Sequence, residues 1–258
     1  MAVSIDKVYQ KVLAFANKEQ RGYITPQEFN LFAHQAQMEI FEQYFYDLNQ
    51  FKRLPSNNGD YSDVVSIIKD KISIFEEFAA SDNVTVRNKH GDIHLNTDIL
   101  DLYRLGEVSV SYGGKGHVVC ERLTLKEFSL YQASKLTKTN ESRPVTIKYS
   151  DTGNTNRLKI FPHPRNIDGT EVDNASNSTA SVRADYVREP KKPNWSYVVV
   201  NNKALYNSTT SQDFELHSSE QSELVYRILV FAGISMQKSN LTQVAAGLEA
   251  AKVQQEKQ

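Results

Sequence analysis

The tetrapeptide Thr25-Pro26-Gln27-Glu28 constrains this chain more than any other feature. A threonine that can accept from the backbone, a proline whose missing N–H costs nothing in a first turn, and a glutamate three residues on that can reach back together predict a helix starting at Pro26. Ile24 and Phe29 are spaced to staple that start. From there Phe29, Phe32, Ala33, Ala36, Ile40, Tyr44, Leu48 and Phe51 recur at helical spacing, with Phe41 and Phe45 at the edge of the stripe, for about seven turns. Pro55 and the Ser56-Asn57-Asn58-Gly59-Asp60 cluster end the run. Upstream, Ile5, Val8, Tyr9, Val12, Leu13 and Ala16 form the stripe of a shorter helix, so the two helices are expected to make an αα-hairpin. The second helix is longer by roughly ten residues, or about 15 Å, so part of its aromatic stripe needs another partner, in the same subunit or in a neighbour.

Residues 61–80 satisfy helix and strand periods alike and stay open in type. The middle of the chain predicts strands at Val84–Val86, Ile93–Leu95, Val108–Val110, His117–Val119, Val145–Tyr149, Arg157–Phe161, Ala180–Val187 and Tyr197–Val200. Helical stretches are expected near Asp98 to Arg104 and, with a second Thr-x-x-Glu box, from Thr124 to Ser134. A third capping pair, Ser218 and Gln221, opens a helix carrying Leu224, Val225, Ile228, Leu229 and Phe231 and ending near Gly233. From Leu241 to Gln258 the chain is rich in Ala and Gln, so it favours helix but has little to bury. The expected class is α+β: an amino-terminal helical hairpin and carboxyl-terminal helices packed with a central antiparallel β-rich region. The segments are residues 1–80 helical, 81–216 β-rich and 217–258 helical.

Composition narrows the functional classes. Over 258 residues, 30 basic side chains against 31 acidic leave a net charge of -1, which does not predict electrostatic capture of nucleic acid or anionic membrane. A single cysteine, Cys120, excludes an intramolecular disulfide and fits a reducing compartment. Neither a signal peptide nor an apolar run near the ~18 residues of a membrane span is evident. Sequons such as Asn177, Asn207 and Asn240 read as polar surface.

The chemical motifs all fall short. Asn17 to Glu28 mimics a calcium loop, but Arg21 stands where a ligand oxygen belongs and Lys18 adds a second positive charge, so a helix-turn-helix hairpin is expected instead. His90 and His94 flank Gly91 in a strand-like stretch with no third ligand, and His34, His117, His163 and His217 are equally isolated. Gly113-Gly-Lys-Gly116 lacks the order of a phosphate loop and reads as a hairpin turn exposing Lys115. Cys120 has no base nearby in sequence and no nucleophile elbow exists, so no catalytic residue, cofactor or metal is expected. Tyr186 to Trp195 is more distinctive: a Pro-flanked basic turn, Pro190-Lys-Lys-Pro193, followed by the only tryptophan. It is either a stiffened surface loop anchored by Trp195 or an exposed interface arm.

In order along the chain, the helical pair, Gly91-Asp-Ile-His-Leu-Asn-Thr-Asp-Ile-Leu-Asp-Leu-Tyr103, Arg143-Pro-Val-Thr-Ile147, Leu158-Lys-Ile-Phe-Pro162, Ala184 to Trp195 and Asp213 to Gly233 resemble head-to-tail connector and ring proteins of short-tailed bacteriophages. His94-Leu-Asn-Thr97 departs from that pattern, which has a proline beside the leucine. The resemblance implies a non-enzymatic virion protein, made in the host bacterial cytoplasm, forming a ring that is twelve-fold if it meets a portal directly. Its partners are then further copies, the portal and other tail proteins, with genomic DNA passing through and no membrane. Residues 25–52 and 218–258 are expected at the intersubunit contacts, with Phe41, Tyr44, Phe45, Arg188, Trp195, Tyr226 and Leu248 as interface residues. A tail-fibre or host-contact module and an enzyme are the alternatives.

Overall fold

A computed structural model describes residues 3–17, 24–52, 64–79, 92–94, 101–112, 116–150, 156–164, 182–201, 203–235, 245–248 and 250–251. The described elements are α1 (Ile5–Asn17), α2 (Pro26–Phe51), α3 (Val64–Ser73), β1 (Glu76–Ala79), β2 (Asp92–His94), β3 (Leu102–Val110), β4 (Val118–Val119) and β5 (Glu121–Leu123). They continue with α4 (Leu125–Ala133), β6 (Val145–Ser150), β7 (Asn156–Phe161), β8 (Val182–Arg188), β9 (Tyr197–Val200), β10 (Lys203–Tyr206), a 3-10 turn (Ser218–Glu220) and α5 (Gln221–Ser235). Helices and largely antiparallel sheets in one chain define an α+β fold. Two compact units result, Met1–Ile74 with Pro190–Gln258, and Phe75–Glu189. Residues 1–74 of the segment expected at 1–80 thus share one unit with 217–258 and with residues 190–216 from the expected β-rich body, while residues 75–80 fall in the other unit.

In the first unit, α2 starts as its cap dictates. Thr25 is extended at φ -68° and ψ 151°; its side chain accepts from the Glu28 N–H, and the Glu28 Oε2 accepts from the Thr25 N–H at 3.0 Å. The two helices expected as an αα-hairpin do meet, the rings of Tyr9 and Phe29 lying 4.7 Å apart, but within a larger bundle: α5 packs on both, and α2 also packs on α3. The reason is α5 itself, which buries Leu224, Val225, Ile228, Leu229 and Ala232 and so needs cover on more than one side. The α2 stripe therefore buries Ile40, Phe41 and Tyr44 within its own unit. Its entry to α5 also differs from expectation: His217, not Ser218, is the N-cap, its imidazole accepting from the Ser219 N–H as a 3-10 turn leads into the helix. Backbone pairing of Val3 with Phe214 and an N–H bond from Ile5 to the Asp213 carboxylate at 2.8 Å tie the start of α1 to the run before α5.

A two-stranded antiparallel sheet, β9 with β10, completes this unit. Its turn follows from sequence: Asn201 sits at φ 51°, left-handed backbone that asparagine tolerates, between Val200 and Lys203, which pair across the two-residue loop. Opposed pairs alternate faces, so Tyr197, Val199, Ala204 and Tyr206 share one face, and Val198, Val200, Lys203 and Leu205 share the other.

The second unit is a two-layer sandwich with sheet orders β1-β8-β3-β4 and β2-β7-β6-β5. Ile93, Leu158 and Ile160 from one sheet and Leu105, Val108, Val110, Val182 and Ala184 from the other form one buried cluster with Tyr112 and Cys120. Period-two alternation explains the second, smaller cluster. Val145 and Ile147 pair with Phe161 and Lys159, so they face away from the sandwich interior, and the half-buried Phe128 and Tyr131 of α4 pack on that side. All strand pairs are antiparallel except β5 with β6, which is parallel. Gly106 lies where β3 shifts register against β8, and a Cβ there would stand 2.8 Å from the Asp185 carbonyl oxygen, so only glycine fits that approach.

Within the stretch 61–80, the described residues 64–79 resolve into both types, α3 followed by β1. The helix expected near Asp98 to Arg104 is corrected: Leu102–Arg104 begin β3, because pairing with Arg188 and Val187 of β8 outweighs local helix preference. The strand expected at Val84–Val86 lies outside the described residues.

Candidate functional site

The residues expected at an interface divide sharply by position. Phe41 is fully buried and meets Phe45 edge-on at 5.1 Å; Tyr44 is buried, while Phe45 and Tyr226 are half-buried. Arg188 is buried too, its Nε 2.7 Å from Glu77 and its guanidinium over the Phe75 ring. Leu248 alone among the seven is exposed, at 44%. Charged substitutions at Phe41 would bury a charge in the unit and report on folding rather than on assembly.

Trp195 is the anchor of the alternative reading, not an exposed arm. It is 2% exposed, with its ring 4.4 Å from Tyr9, 5.7 Å from Tyr197 and 5.8 Å from Tyr206. Its indole N–H donates to Asp6 at 3.0 Å and its backbone N–H to the Asn30 side chain at 2.7 Å. Trp195 thereby seats the hairpin on the amino-terminal end of α2 through the face that carries Tyr197 and Tyr206.

The opposite face of the hairpin has no such cover. Val198 is 52% exposed, Val200 46% and Leu205 52%, and Lys203 stands exposed beside them; on the Trp195 face the cover stops at the two tyrosines, since Val199 nearer the turn is 63% exposed. Such a ribbon is marginal in water unless something packs on it. Sequence reading found β9 but missed β10 and this face; the signal was the Asn201-Asn202 pair between two apolar runs.

At the other end of α2 a pocket of about 500 Å³ opens between α2, α3 and the entry to α5. Ile40, Tyr44, Phe51, Val64, Ile67 and Ile68 supply its apolar wall, and Asp47, Asp70, Lys71, Glu220 and Glu223 are among its polar lining. Two ion pairs brace the wall: Lys71 with Glu220 at 2.6 Å, and Arg227 with Glu223 at 2.7 Å. A smaller pocket of about 300 Å³ in the second unit is lined by Leu125, Phe128, Ile147, Tyr149, Lys159 and Phe161. The Tyr149 hydroxyl there donates to Asp92 at 2.9 Å, and burial, then that bond, raise its pKa.

Electrostatics point to structural duties. Hydrogen bonds from Thr25 and Thr124 lower the pKa of Glu28 and Glu127 and commit both carboxylates to helix caps. Residues 18–23 of the calcium-like stretch, His90 and residues 113–115 of the glycine-rich turn lie outside the described residues. Among the described residues no three His, Cys, Asp or Glu side chains gather as a metal site. Within the same residues no helix is long and apolar enough to cross a membrane.

Cys120 lies in the sandwich core, and burial pushes its thiol up to about 12. The native state then holds this proton more tightly than the unfolded chain, whose thiol titrates near ~8.5. That contribution is complete below the unfolded value and is lost as pH rises toward 12. Tyr186, also pushed up to about 12 by burial and by its bond to Glu77, adds the same trend only above ~10. Urea unfolding at stepped pH is expected to show stability falling from about pH 9. Cys120→Ala should flatten the slope between about pH 9 and 10; equal slopes in both proteins would contradict the assignment.

The chain matches no protein-family model and no curated protein.

Proposed function

We propose that this chain is a non-enzymatic structural protein of a bacteriophage virion, assembling into an oligomeric ring in the head-to-tail connector or tail. The observation that carries the reading is the β9–β10 hairpin, which holds Val198, Val200 and Leu205 out from a core already filled by Trp195. An apolar face on an anchored scaffold suits protein–protein contact better than chemistry. Exposed Leu125 and Leu130 on α4 offer a second apolar surface in the other unit. The ordered resemblance to phage connector proteins supplies the setting: further copies of the chain, a portal and other tail proteins as partners, a dodecamer where the portal is met directly, and passage of the genome. A net charge of -1 suits a wall that DNA slides past without binding.

The test is the mass and symmetry of the purified full chain, alone and mixed with its portal, by mass photometry and electron micrographs. Closed rings of uniform size are expected. A stable monomer that ignores the portal would overturn the reading, and a trimer that binds glycans would replace it with host adhesion.

A further inference from the structure

The first unit carries a projection and a recess that suit each other. The open hairpin face is apolar and has one charge, Lys203, with no acidic residue anywhere between Trp195 and Asn207. The pocket at the far end of α2 has an apolar wall, and four of its lining residues are acidic against one lysine: Asp47, Asp70, Glu220 and Glu223 against Lys71. Glu220 and Glu223 are engaged by Lys71 and Arg227, while Asp70 is exposed on α3 beside Ile67, itself 46% exposed. Size agrees as well as charge, since about 500 Å³ falls within the roughly 300–1,000 Å³ that accommodates a compact ligand.

Position makes the pairing intermolecular. Trp195 is hydrogen-bonded to Asn30, whereas the pocket reaches Asp47 on the same helix, 17 residues and about 25 Å away. One rigid helix thus separates the two surfaces, so a chain cannot fill its own pocket.

We propose that the Val198, Val200 and Leu205 face of one copy seats in the α2–α3 pocket of a second copy, with Lys203 set against Asp70 and Asp47. Two different patches of one chain meeting in this way make a heterologous contact, which repeats around a closed ring or along a filament rather than stopping at a dimer. This inference rests on the ring-forming reading and names the contact that would build it. Burial of three aliphatic side chains drives the contact, and the lysine against carboxylates sets its register.

Val200 and Ile67 are both exposed, so cysteines there should leave the fold intact, which circular dichroism would confirm. Cys120 is buried and so stays out of the reaction. Under mild oxidation the full-length double variant V200C/I67C is expected to give a ladder of disulfide-linked multimers, and either single variant none. The charge reversal K203E should weaken self-association at least tenfold, and K203E with D70K should recover most of it. If wild-type rings form but V200C/I67C gives no ladder, or V200C alone gives abundant dimers, this contact is wrong while the ring reading stands. A chain that stays monomeric with and without portal would remove both.

Discussion

Trp195→Ala is expected to destabilise the first unit by about 3–5 kcal/mol, the range for deleting a large aromatic from a packed core. The ring touches Tyr9, Tyr197 and Tyr206, and its N–H satisfies Asp6, so truncation opens a cavity and strands a half-buried carboxylate in one step. At roughly 2–4 °C per kcal/mol for a chain of this size, the thermal midpoint should fall by about 6–20 °C. Trp195→Phe keeps most of the packing but loses the N–H, and about 1–2 kcal/mol is expected there. Because Trp195 is the only tryptophan, its fluorescence in the wild type reports unfolding of this unit alone, while circular dichroism serves the variants. A shift of 2 °C or less, on the order of 1 kcal/mol, for Trp195→Ala would show that the hairpin is not anchored through this ring.

That anchor bears on what the sequence can disclose. The start of α2 was legible because Thr25, Pro26 and Glu28 act on neighbours within one turn, and the same short-range chemistry exposed α4 through Thr124 and Glu127. Strands β6 to β8 were legible by alternation, as at Val145, Ile147, Leu158 and Ile160. What failed depends on distant partners. Leu102–Arg104 have no local reason to extend; they do so because β8 lies beside them. The Ile-rich stretch through Val64 and Phe75 carries both periods, and it becomes helix and then strand according to where each half packs. His217 displaced Ser218 as a cap because a ring nitrogen can accept where a hydroxyl was expected.

Four of the seven residues expected at an interface, Phe41, Tyr44, Arg188 and Trp195, are buried in their own units for a related reason. An aromatic stripe looks the same whether another helix of the chain or a neighbouring subunit covers it. Phe41 and Tyr44 turn out to be covered within their own unit, where α2 packs on α3 and α5. The hairpin was the reverse case: Tyr197–Val200 read as an ordinary strand, the strand carrying Leu205 was missed, and only the seating of Tyr197 and Tyr206 on Trp195 shows which part of the ribbon is covered while Val198, Val199, Val200 and Leu205 stay exposed.

Arg227 should prove the second most sensitive position. It is 8% exposed on α5 and donates through Nε and Nη2 to Glu223, through Nη1 to Glu39 at 3.3 Å, and through Nη2 to Gln43, joining α5 to α2 beside the pocket. Glu223 is almost fully buried, so Arg227→Met leaves a carboxylate in the interior without its guanidinium, at an expected cost of about 3–5 kcal/mol. The pair itself is a different matter, because two ions withdrawn from water return little net stability. Arg227→Met combined with Glu223→Leu should therefore recover most of the loss, leaving a deficit of about 1 kcal/mol or less. Denaturant midpoints for the wild type, both single variants and the double variant close the cycle, and a coupling energy of about 2 kcal/mol or more is expected. Additive losses would mean that Arg227 acts on α2 through Glu39 and Gln43 alone. Recovery in the double variant would instead mark the ion pair as a device that fixes how α5 sits on α2, and with it the shape of the pocket wall that Glu223 lines.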